Sequence, residues 1–270
     1  MTVRVGILGC GNIGSYIASA LGDRQDIRVC ALFDKEVERA QALCQRITPT
    51  PKVVAGVEGF VGCCDLVVEA AAPDAVESLI KKTLGYCDLI ILSVGGLIRE
   101  GTLDFAEKTA KECKTKLYVP SGAITGLDVI KASAKKGLRK VKLTTTKNPR
   151  SLLDVSYLKE KNIDLNSLSA PLIVFKGTAK DAVEFFPKNI NVAAALSLCG
   201  VGVEETRVEI VADPGITTNS HEVEVEGVFG KMYVKLENLP SPENPKTSYL
   251  AALSVLRQIE EYVGGVKIGT

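Results

Sequence analysis

The chain has 270 residues, of which 46% are hydrophobic and 24% charged, ordinary values for a globular protein. This length allows one large domain or two modest ones. A net charge of +1 gives no long-range attraction to nucleic acid or to an anionic membrane, and no apolar run reaches the ~18–20 residues that a membrane helix needs. The N-terminus lacks the pattern of a signal peptide, so we expect a cytoplasmic protein that binds neither nucleic acid nor membranes.

The eight cysteines do not follow a metal-binding pattern. They are scattered, several lie in apolar runs, none forms a CxxC pair, and the chain has a single histidine. Cys63 and Cys64 are adjacent, a spacing that rarely forms a disulfide. We therefore expect buried, reduced thiols and no metal site.

The first half of the chain alternates short apolar runs with helix-like segments. The six predicted strands are 3–8, 27–33, 53–55, 66–68, 89–92 and 117–119. The four predicted helices between them are 12–21, 35–47, 73–84 and 103–113. Several of the strands are apolar on both faces, which is typical of strands covered by helices on both sides. This alternation predicts an α/β fold with a Rossmann doubly wound parallel sheet.

The pattern changes after Gly122. The predicted strands are now 141–146, 207–211, 221–228 and 232–236, several of them joined by short turns, and the predicted helices are 127–134, 179–185 and 190–198. These elements predict a second α+β domain with a mostly antiparallel sheet. A proline-rich stretch at 240–245 leads into a capped helix that begins near Thr247 or Ser248. We expect a dinucleotide-binding domain (1–123), the C-terminal helix (246–270) packing back on it, and a substrate and catalytic domain (124–245).

The segment Gly9–Gly14 has the G-x-G-x-x-G pattern, between a predicted strand and a predicted helix. The first glycine permits the tight turn, the second lets the backbone approach a pyrophosphate, and the third lets helix and strand pack closely. The N-terminus of the helix attracts the phosphates. The pattern predicts binding of NAD or NADP, with contacts at Gly9, Gly11, Asn12 and Ile13.

Asp34 ends the second predicted strand, twenty residues after Gly14. In this position a carboxylate accepts hydrogen bonds from the adenosine ribose hydroxyls. It repels a 2′-phosphate and therefore favours NAD, whereas the neighbouring Lys35 weakens that preference. The sequence thus leaves NADP open.

His221 is the only histidine and begins an alternating strand. Alternation puts His221, Val223 and Val225 on one apolar face and three glutamates on the other. A lone inward histidine is commonly a hydrogen-bonded core residue. An unperturbed pKa of ~6.5 also suits the proton transfer that accompanies hydride transfer, and lysines compete for that role. The residues alone leave these alternatives open.

Several segments resemble the L-aspartate dehydrogenase family, in family order along almost the whole chain. They are Gly9–Gly14, Val68–Ala71, Ser93–Leu97, Pro120–Asp128, Phe175–Ala179, Phe186–Ala194 and Asn219–Glu222. The first is shared with Rossmann enzymes in general. The PSGAI, FPxNxNVA and NxHE pieces are far more specific.

The resemblance implies a two-domain, homodimeric enzyme whose second domain also forms the dimer. It implies cofactor contacts at Ala71, Ala123 and Asn189 and makes His221 the catalytic residue. The expected reaction is NAD(P)-dependent oxidation of L-aspartate to iminoaspartate, which water converts to oxaloacetate and ammonia and which can feed NAD biosynthesis. The stretch 146–150 departs from the family's Lys-Pro-Pro-like sequence. The cationic candidates for binding the substrate are Lys147, Arg150 and Lys188.

Other functions fit the sequence less well. Dihydrodipicolinate reductase needs paired histidines, and sugar dehydrogenases need a Glu-Lys-Pro motif where Ala70–Pro73 stands. An aldehyde dehydrogenase needs a nucleophilic cysteine beside a histidine. Homoserine dehydrogenase stays open as another oxidoreductase of similar build. A non-catalytic NAD-sensing protein would carry a DNA- or partner-binding module, for which the sequence offers no clear segment.

Overall fold

The computed structural model describes residues 2–186, 191–241, 244–264 and 266–268, with the backbone alone over 240–247. The chain forms two compact units. The first comprises Met1–Pro120 and Ala252–Ile268, and the second comprises Ser121–Ala251 with residues 269–270. Within the described ranges no helix is long and apolar enough to cross a membrane.

Six parallel strands form the sheet of the first unit. They are β1 (Val3–Leu8), β2 (Ile27–Phe33), β3 (Lys52–Val53), β4 (Leu66–Glu69), β5 (Asp88–Ile91) and β6 (Leu117–Tyr118). The helices between them are α1 (Asn12–Leu21), α2 (Val37–Cys44), α3 (Pro73–Thr83) and α4 (Thr102–Cys113), with short 3-10 turns at Val57–Phe60 and Val94–Gly96. The strand order β3-β2-β1-β4-β5-β6 confirms the predicted Rossmann sheet.

One face of this sheet packs on helix α1 and on the last helix of the chain. Val5 and Ile7 of β1 are fully buried in one cluster with Ile17 of α1, as alternating strand and helix faces require. Val255 and Ile259 complete that cluster from the C-terminal helix. The last helix is therefore part of the core that supports β1.

The second unit is built on a five-stranded mixed sheet. Its elements in chain order are α5 (Leu127–Ala134), β7 (Leu138–Lys147), a 3-10 turn (Pro149–Ser151), α6 (Ser156–Glu160), β8 (Leu172–Thr178), α7 (Ala179–Phe185), α8 (Asn191–Cys199), β9 (Arg207–Ala212), β10 (Asn219–Gly227), β11 (Gly230–Asn238), β12 (Pro240–Ser241) and β13 (Asn244–Ser248). Helix α9 (Tyr249–Val263) follows. The sheet order is β11-β10-β7-β9-β8. All neighbours are antiparallel except β7 and β9, which agrees with the mostly antiparallel sheet that we predicted.

One face of the second sheet carries the apolar core, and the other carries charges. Val141, Leu143, Val223 and Val225 are 1% exposed and lie opposite each other on β7 and β10. The alternate positions form cross-strand ion pairs, for example Lys142 with Glu209 at 2.7 Å. His221 is buried on the same face as Val223 and Val225, as predicted.

The structure differs from the sequence predictions at several places, and the last helix begins close to where it was predicted. Strand β8 was missed because a bulge between Ile173 and Phe175 breaks the alternation. Helix α2 begins two residues later than predicted, since Asp34 Oδ1 accepts the backbone N–H of Glu36 at 2.9 Å and holds a turn there. The proline-rich stretch contributes to β12 and β13, and α9 begins at Tyr249, directly after the predicted start at Ser248.

Two glycines of the first turn provide a matched test of this packing. A Cβ on Gly14 would overlap the carbonyl oxygen of Gly9, whereas no described atom lies within 4 Å of a Cβ on Gly11. We expect Gly14→Ala to lower the free energy of unfolding by about 1–3 kcal/mol or more. Gly11→Ala, at the start of α1, should cost at most about 1 kcal/mol. Thermal denaturation followed by circular dichroism compares them, and equal losses would contradict the described packing.

Candidate active site

The turn between β1 and α1 lies at the carboxyl edge of the parallel sheet. Gly9 has a φ of +93°, and a Cβ there would lie 2.6 Å from the carbonyl oxygen of Ala70, which follows β4. Glycine is therefore required at this position by conformation and by space. The adjacent strands β1 and β4 are where the strand order reverses, and ligands of doubly wound sheets bind in the crevice at that point.

Gly11 leaves open space at the N-terminus of α1. It has no side chain to cap the helix, and the first turn of α1 contains no acidic residue. The ten-residue helix thus presents its positive dipole end beside backbone that a ligand can approach closely. These features fit the pyrophosphate of a dinucleotide. Asn12 is exposed and Ile13 is half-buried beside this turn.

Asp34 connects the end of β2 to the glycine-rich turn. Its Oδ2 accepts the backbone N–H of Cys10 at 2.7 Å, and its Oδ1 accepts that of Glu36 at 2.9 Å. The side chain is 7% exposed, whereas Lys35 is exposed. Each carboxylate oxygen has a second lone pair. Asp34 therefore retains the capacity to accept a hydrogen bond from a ribose hydroxyl while it holds the turn.

Glu69, at the end of β4, is a second buried carboxylate that the sequence analysis did not single out. It is completely buried and accepts hydrogen bonds from Ala71 N, Ser93 N and Ser93 Oγ, each at 2.8 Å. Burial raises the pKa of Glu69, and the hydrogen bonds from Ser93 and Ala71 oppose that shift. The carboxylate fixes the exposed Ala71, so it positions the loop that follows β4. The sequence signal that could have identified Glu69 is an acidic residue at the end of an otherwise apolar strand.

In the second unit, His221 and Thr145 face each other across β10 and β7. The register pairs the two residues directly, and His221 Nδ1 lies 3.0 Å from Thr145 Oγ1. Lys147 follows on the same face of β7, two residues after Thr145. All three are buried, at 5%, 4% and 7% exposure respectively. The apolar face of the sheet thus ends in a buried polar cluster of these three side chains.

Burial changes the protonation of both basic groups in this cluster. Desolvation, assisted by the positive charge of Lys147, lowers the pKa of His221 to about 3. Desolvation also lowers the pKa of Lys147 to about 8. At neutral pH the imidazole is therefore uncharged and the ammonium is mostly charged. The neutral imidazole can accept a proton, and the charged ammonium group can bind an anion.

Ala123 lies in the second unit and is anchored at the same end of the sheet. Its carbonyl oxygen accepts a hydrogen bond from Asn238 Nδ2 at 2.9 Å. Asn238 pairs with Asn219, which precedes His221 by two residues on β10. The fold therefore fixes the segment around Ala123 to the polar end of β10 and β11.

The remaining predicted site residues are two substrate candidates, Arg150 and Lys188, and one cofactor candidate, Asn189. Arg150 is exposed and follows β7 in a 3-10 turn. Lys188 and Asn189 lie outside the described residues. Thr145 was missed because its contact with His221 depends on pairing between strands 76 residues apart in the chain.

The two halves of the chain match known families separately. Residues 9–120 match the family described as homoserine dehydrogenase, NAD binding domain, and contain strands β2 to β6 of the Rossmann sheet. Residues 128–262 match the family described as aspartate dehydrogenase, C-terminal. The second match contains the whole His221 cluster.

Full-length relatives agree with the second match. The chain is 42% identical to an L-aspartate dehydrogenase of Methanosarcina mazei, over 99% of this chain and 100% of the relative. It is 40% identical to one of Nitrosopumilus maritimus, over 99% of each. The crystal structure of aspartate dehydrogenase from Thermotoga maritima is similar over 100% of both chains, with 28% identity and a TM-score of 0.77. Since similarity at this level extends through both halves and includes the family's own C-terminal domain, the chain belongs to the aspartate dehydrogenase family.

Proposed function

We propose that the protein is an NAD(P)-dependent L-aspartate dehydrogenase. It oxidises L-aspartate to iminoaspartate, which water converts to oxaloacetate and ammonia. The observation that carries this proposal is the buried cluster in which an uncharged His221 is paired with Thr145 and lies beside Lys147. It lies in the domain that matches the aspartate dehydrogenase family. The family described by the homoserine dehydrogenase NAD binding domain matches residues 9–120 alone.

We assign cofactor binding to the carboxyl edge of the first sheet. Gly9, Gly11, Asn12 and Ile13 are assigned to the pyrophosphate, and Asp34 to the adenosine ribose. We also assign contacts to Ala71, which Glu69 holds, to Ala123 and to Asn189. When bound, the nicotinamide supplies the acceptor for the hydride that leaves the α-carbon of the substrate. Asp34 favours NAD, and Lys35 leaves NADP accessible.

We assign proton transfer to His221. The α-ammonium group of aspartate must lose a proton before its carbon can lose a hydride, and a neutral imidazole accepts one. Because Thr145 engages Nδ1, the reacting nitrogen is Nε2. A bound aspartate brings two carboxylates, and their negative charge raises the low pKa of His221 toward the working range. The protonated imidazole and its conjugate base then serve the hydrolysis of the imine.

We assign Lys147 to a carboxylate of the substrate. An ammonium group buried at 7% exposure has lost most of its hydration, so an anion that reaches it is bound strongly. Its depressed pKa supports the same role, because desolvation destabilises the charged amine and a nearby carboxylate stabilises it. Arg150 and Lys188 are the candidates for the second carboxylate.

The oligomeric state, the cellular location and the fate of the product are proposed from the same family membership. We propose a homodimer formed by the second domain, whose sheet has one polar face. We also propose that the protein acts in the cytoplasm and that its imine product can enter the biosynthesis of the pyridine ring of NAD. Sedimentation of the purified protein at two concentrations measures the oligomeric state.

The activity itself is tested by following NADH absorbance with L-aspartate and with L-homoserine. We expect NADH formation with L-aspartate and at most a trace with L-homoserine. The γ-carboxylate is the difference between these substrates, and Lys147 provides a cationic partner for such a group. Equal rates with both substrates, or activity with homoserine alone, would reject the proposed substrate.

Cofactor preference is tested by the double substitution Asp34→Ser with Lys35→Arg. The change removes the carboxylate that repels a 2′-phosphate and adds a guanidinium that binds it. We expect the ratio of kcat/KM for NADP to that for NAD to rise by about tenfold or more. Since Asp34 also holds Cys10 N and Glu36 N, absolute rates should fall. Asp34→Asn, which retains one acceptor, is the control. An unchanged ratio would mean that other residues read the ribose.

The role of His221 is tested by His221→Ala. We expect kcat to fall by about 10²- to 10⁴-fold, because the proton acceptor is lost. Affinity for NADH should change little, since we assign dinucleotide binding mainly to the first domain. Lys147→Met is the matched comparison and should raise KM for aspartate more than it lowers kcat. A His221→Ala enzyme that keeps its kcat, with a lower thermal midpoint alone, would show a structural role.

The pH dependence of stability adds a second measurement on these proteins. In the native state the pKa of His221 is about 3, and in the unfolded chain it is ~6.5. The unfolded chain therefore binds one more proton at this site between those values, and wild-type stability falls as the pH falls below about 6.5. His221→Asn removes this contribution. The midpoint difference between the two proteins should thus shift in favour of the variant from pH 7 to pH 4. A constant difference would contradict the buried neutral imidazole.

A further inference from the structure

Three thiols meet in the first unit, away from the residues assigned to the cofactor. Cys30 lies on β2, and Cys63 and Cys64 are separated from the start of β4 by Asp65 alone. Cys64 Sγ is 3.3 Å from Cys30 Sγ and 3.6 Å from Cys63 Sγ, and all three sulfur atoms lie within 4.8 Å of one another. Cys30 is four residues before Asp34, which is about 13 Å along a strand.

A bulge in the sheet directs Cys30 toward the other two thiols. The pairing of β1 with β2 shifts by one residue between Val5 and Gly6, and Cys30 is the extra residue on β2. Such a bulge redirects a side chain that a regular strand would place elsewhere. A Cβ on Gly6 would lie 2.7 Å from Cys64 Sγ, so the glycine leaves the space that this sulfur occupies.

The segment that carries Cys63 and Cys64 is fixed to β1 by Arg4. The guanidinium donates to Asp65 at 2.6 and 3.1 Å and to the Gly62 carbonyl oxygen at 3.1 Å. The backbone N–H of Arg4 also donates to Asp65, at 2.9 Å. Arg4 thus holds the two cysteines in place and brings a positive charge near the cluster. That charge offsets part of the negative charge of thiolates.

We propose that Cys30, Cys63 and Cys64 form a binding site for a thiophilic divalent cation of the Zn²⁺ type. Zn–S bonds of about 2.3 Å in a tetrahedron require sulfur atoms about 3.8 Å apart, so shifts of a few tenths of an ångström suffice for the two closest pairs. Cys30 and Cys63 are half-buried, and this exposure gives access to the ion and to a solvent molecule as fourth ligand. Spacing alone did not predict the site, since the ligands come from segments 33 residues apart.

Binding of the metal ion at this site releases the protons of the three thiols. In the free protein Cys30 Sγ donates to Cys63 O at 3.2 Å, and Cys63 Sγ donates to Gly59 O at 3.0 Å. When Zn²⁺ binds, three S–H bonds break, three Zn–S bonds form and three protons pass to solvent. No electron transfer is involved. The site is separate from the proposed aspartate oxidation, so its failure leaves that activity untouched.

The test uses the full chain, reduced and stripped of metal, with Cd²⁺ as the probe. Titration should produce a thiolate-to-metal ultraviolet absorption band that saturates at one equivalent per chain, with release of protons. Adding Zn²⁺ should remove the band by displacement and should raise the thermal midpoint of the protein. Absence of a band at one equivalent would overturn the proposal.

Matched variants identify the ligands. Cys30→Ser with Cys63→Ser should abolish saturable binding at one equivalent and the shift of the thermal midpoint. Cys44→Ser with Cys113→Ser, which changes the same number of thiols outside the cluster, should retain both. The thermal midpoint of each variant, measured without metal, checks that the variant folds. Cys63→Ser alone is a milder form of the first variant. Binding that survives the first substitution, or that is lost in the second, would reject these three cysteines as ligands.

Discussion

The buried placement of two basic side chains is the constraint on which the proposed chemistry depends. At neutral pH Lys147 is mostly charged while its pKa is about 8, so its burial costs about 3 kcal/mol relative to water. His221 avoids a similar cost by staying neutral. In the proposed function, the carboxylates of an anionic substrate offset the first cost and raise the pKa of the imidazole. The same burial would then contribute both to binding of a dicarboxylate and to the basicity of His221.

In the first unit, the buried charged groups at the ends of the strands are acidic rather than basic. Asp34 and Glu69 are buried acids, and each is stabilised mainly by backbone N–H groups rather than by a cation. Each carboxylate thereby fixes a loop at the carboxyl edge of the sheet. The shape of the glycine-rich turn depends on Asp34, the same residue to which we assign recognition of the ribose. A change of cofactor preference at this position must also replace the support for Cys10.

The features that could be predicted from the sequence are those that depend on neighbours in the chain. The bounds of α1, α5 and α7 and the face that His221 occupies follow from periodicity and local signals. The pairing of His221 with Thr145 could not be predicted in this way, because it depends on the register of β7 against β10. The meeting of Cys30 with Cys64 is also non-local. A single sequence provides periodicity but not the register between distant strands.

Two of the bulges lie where the sequence analysis missed a strand or a contact. At β1 and β2 the extra residue is Cys30, which the irregularity brings to Cys64. At β8 the bulge makes Val174 and Phe175 consecutive buried residues, and the Phe175 ring then packs at 5.2 Å from that of Phe186. Phe186 immediately precedes the segment that contains the predicted Lys188 and Asn189. In both strands one additional residue breaks the period of two and places a side chain where regular alternation would not. A departure from strand periodicity in this chain is therefore a reason to look for a contact made by a residue at the bulge.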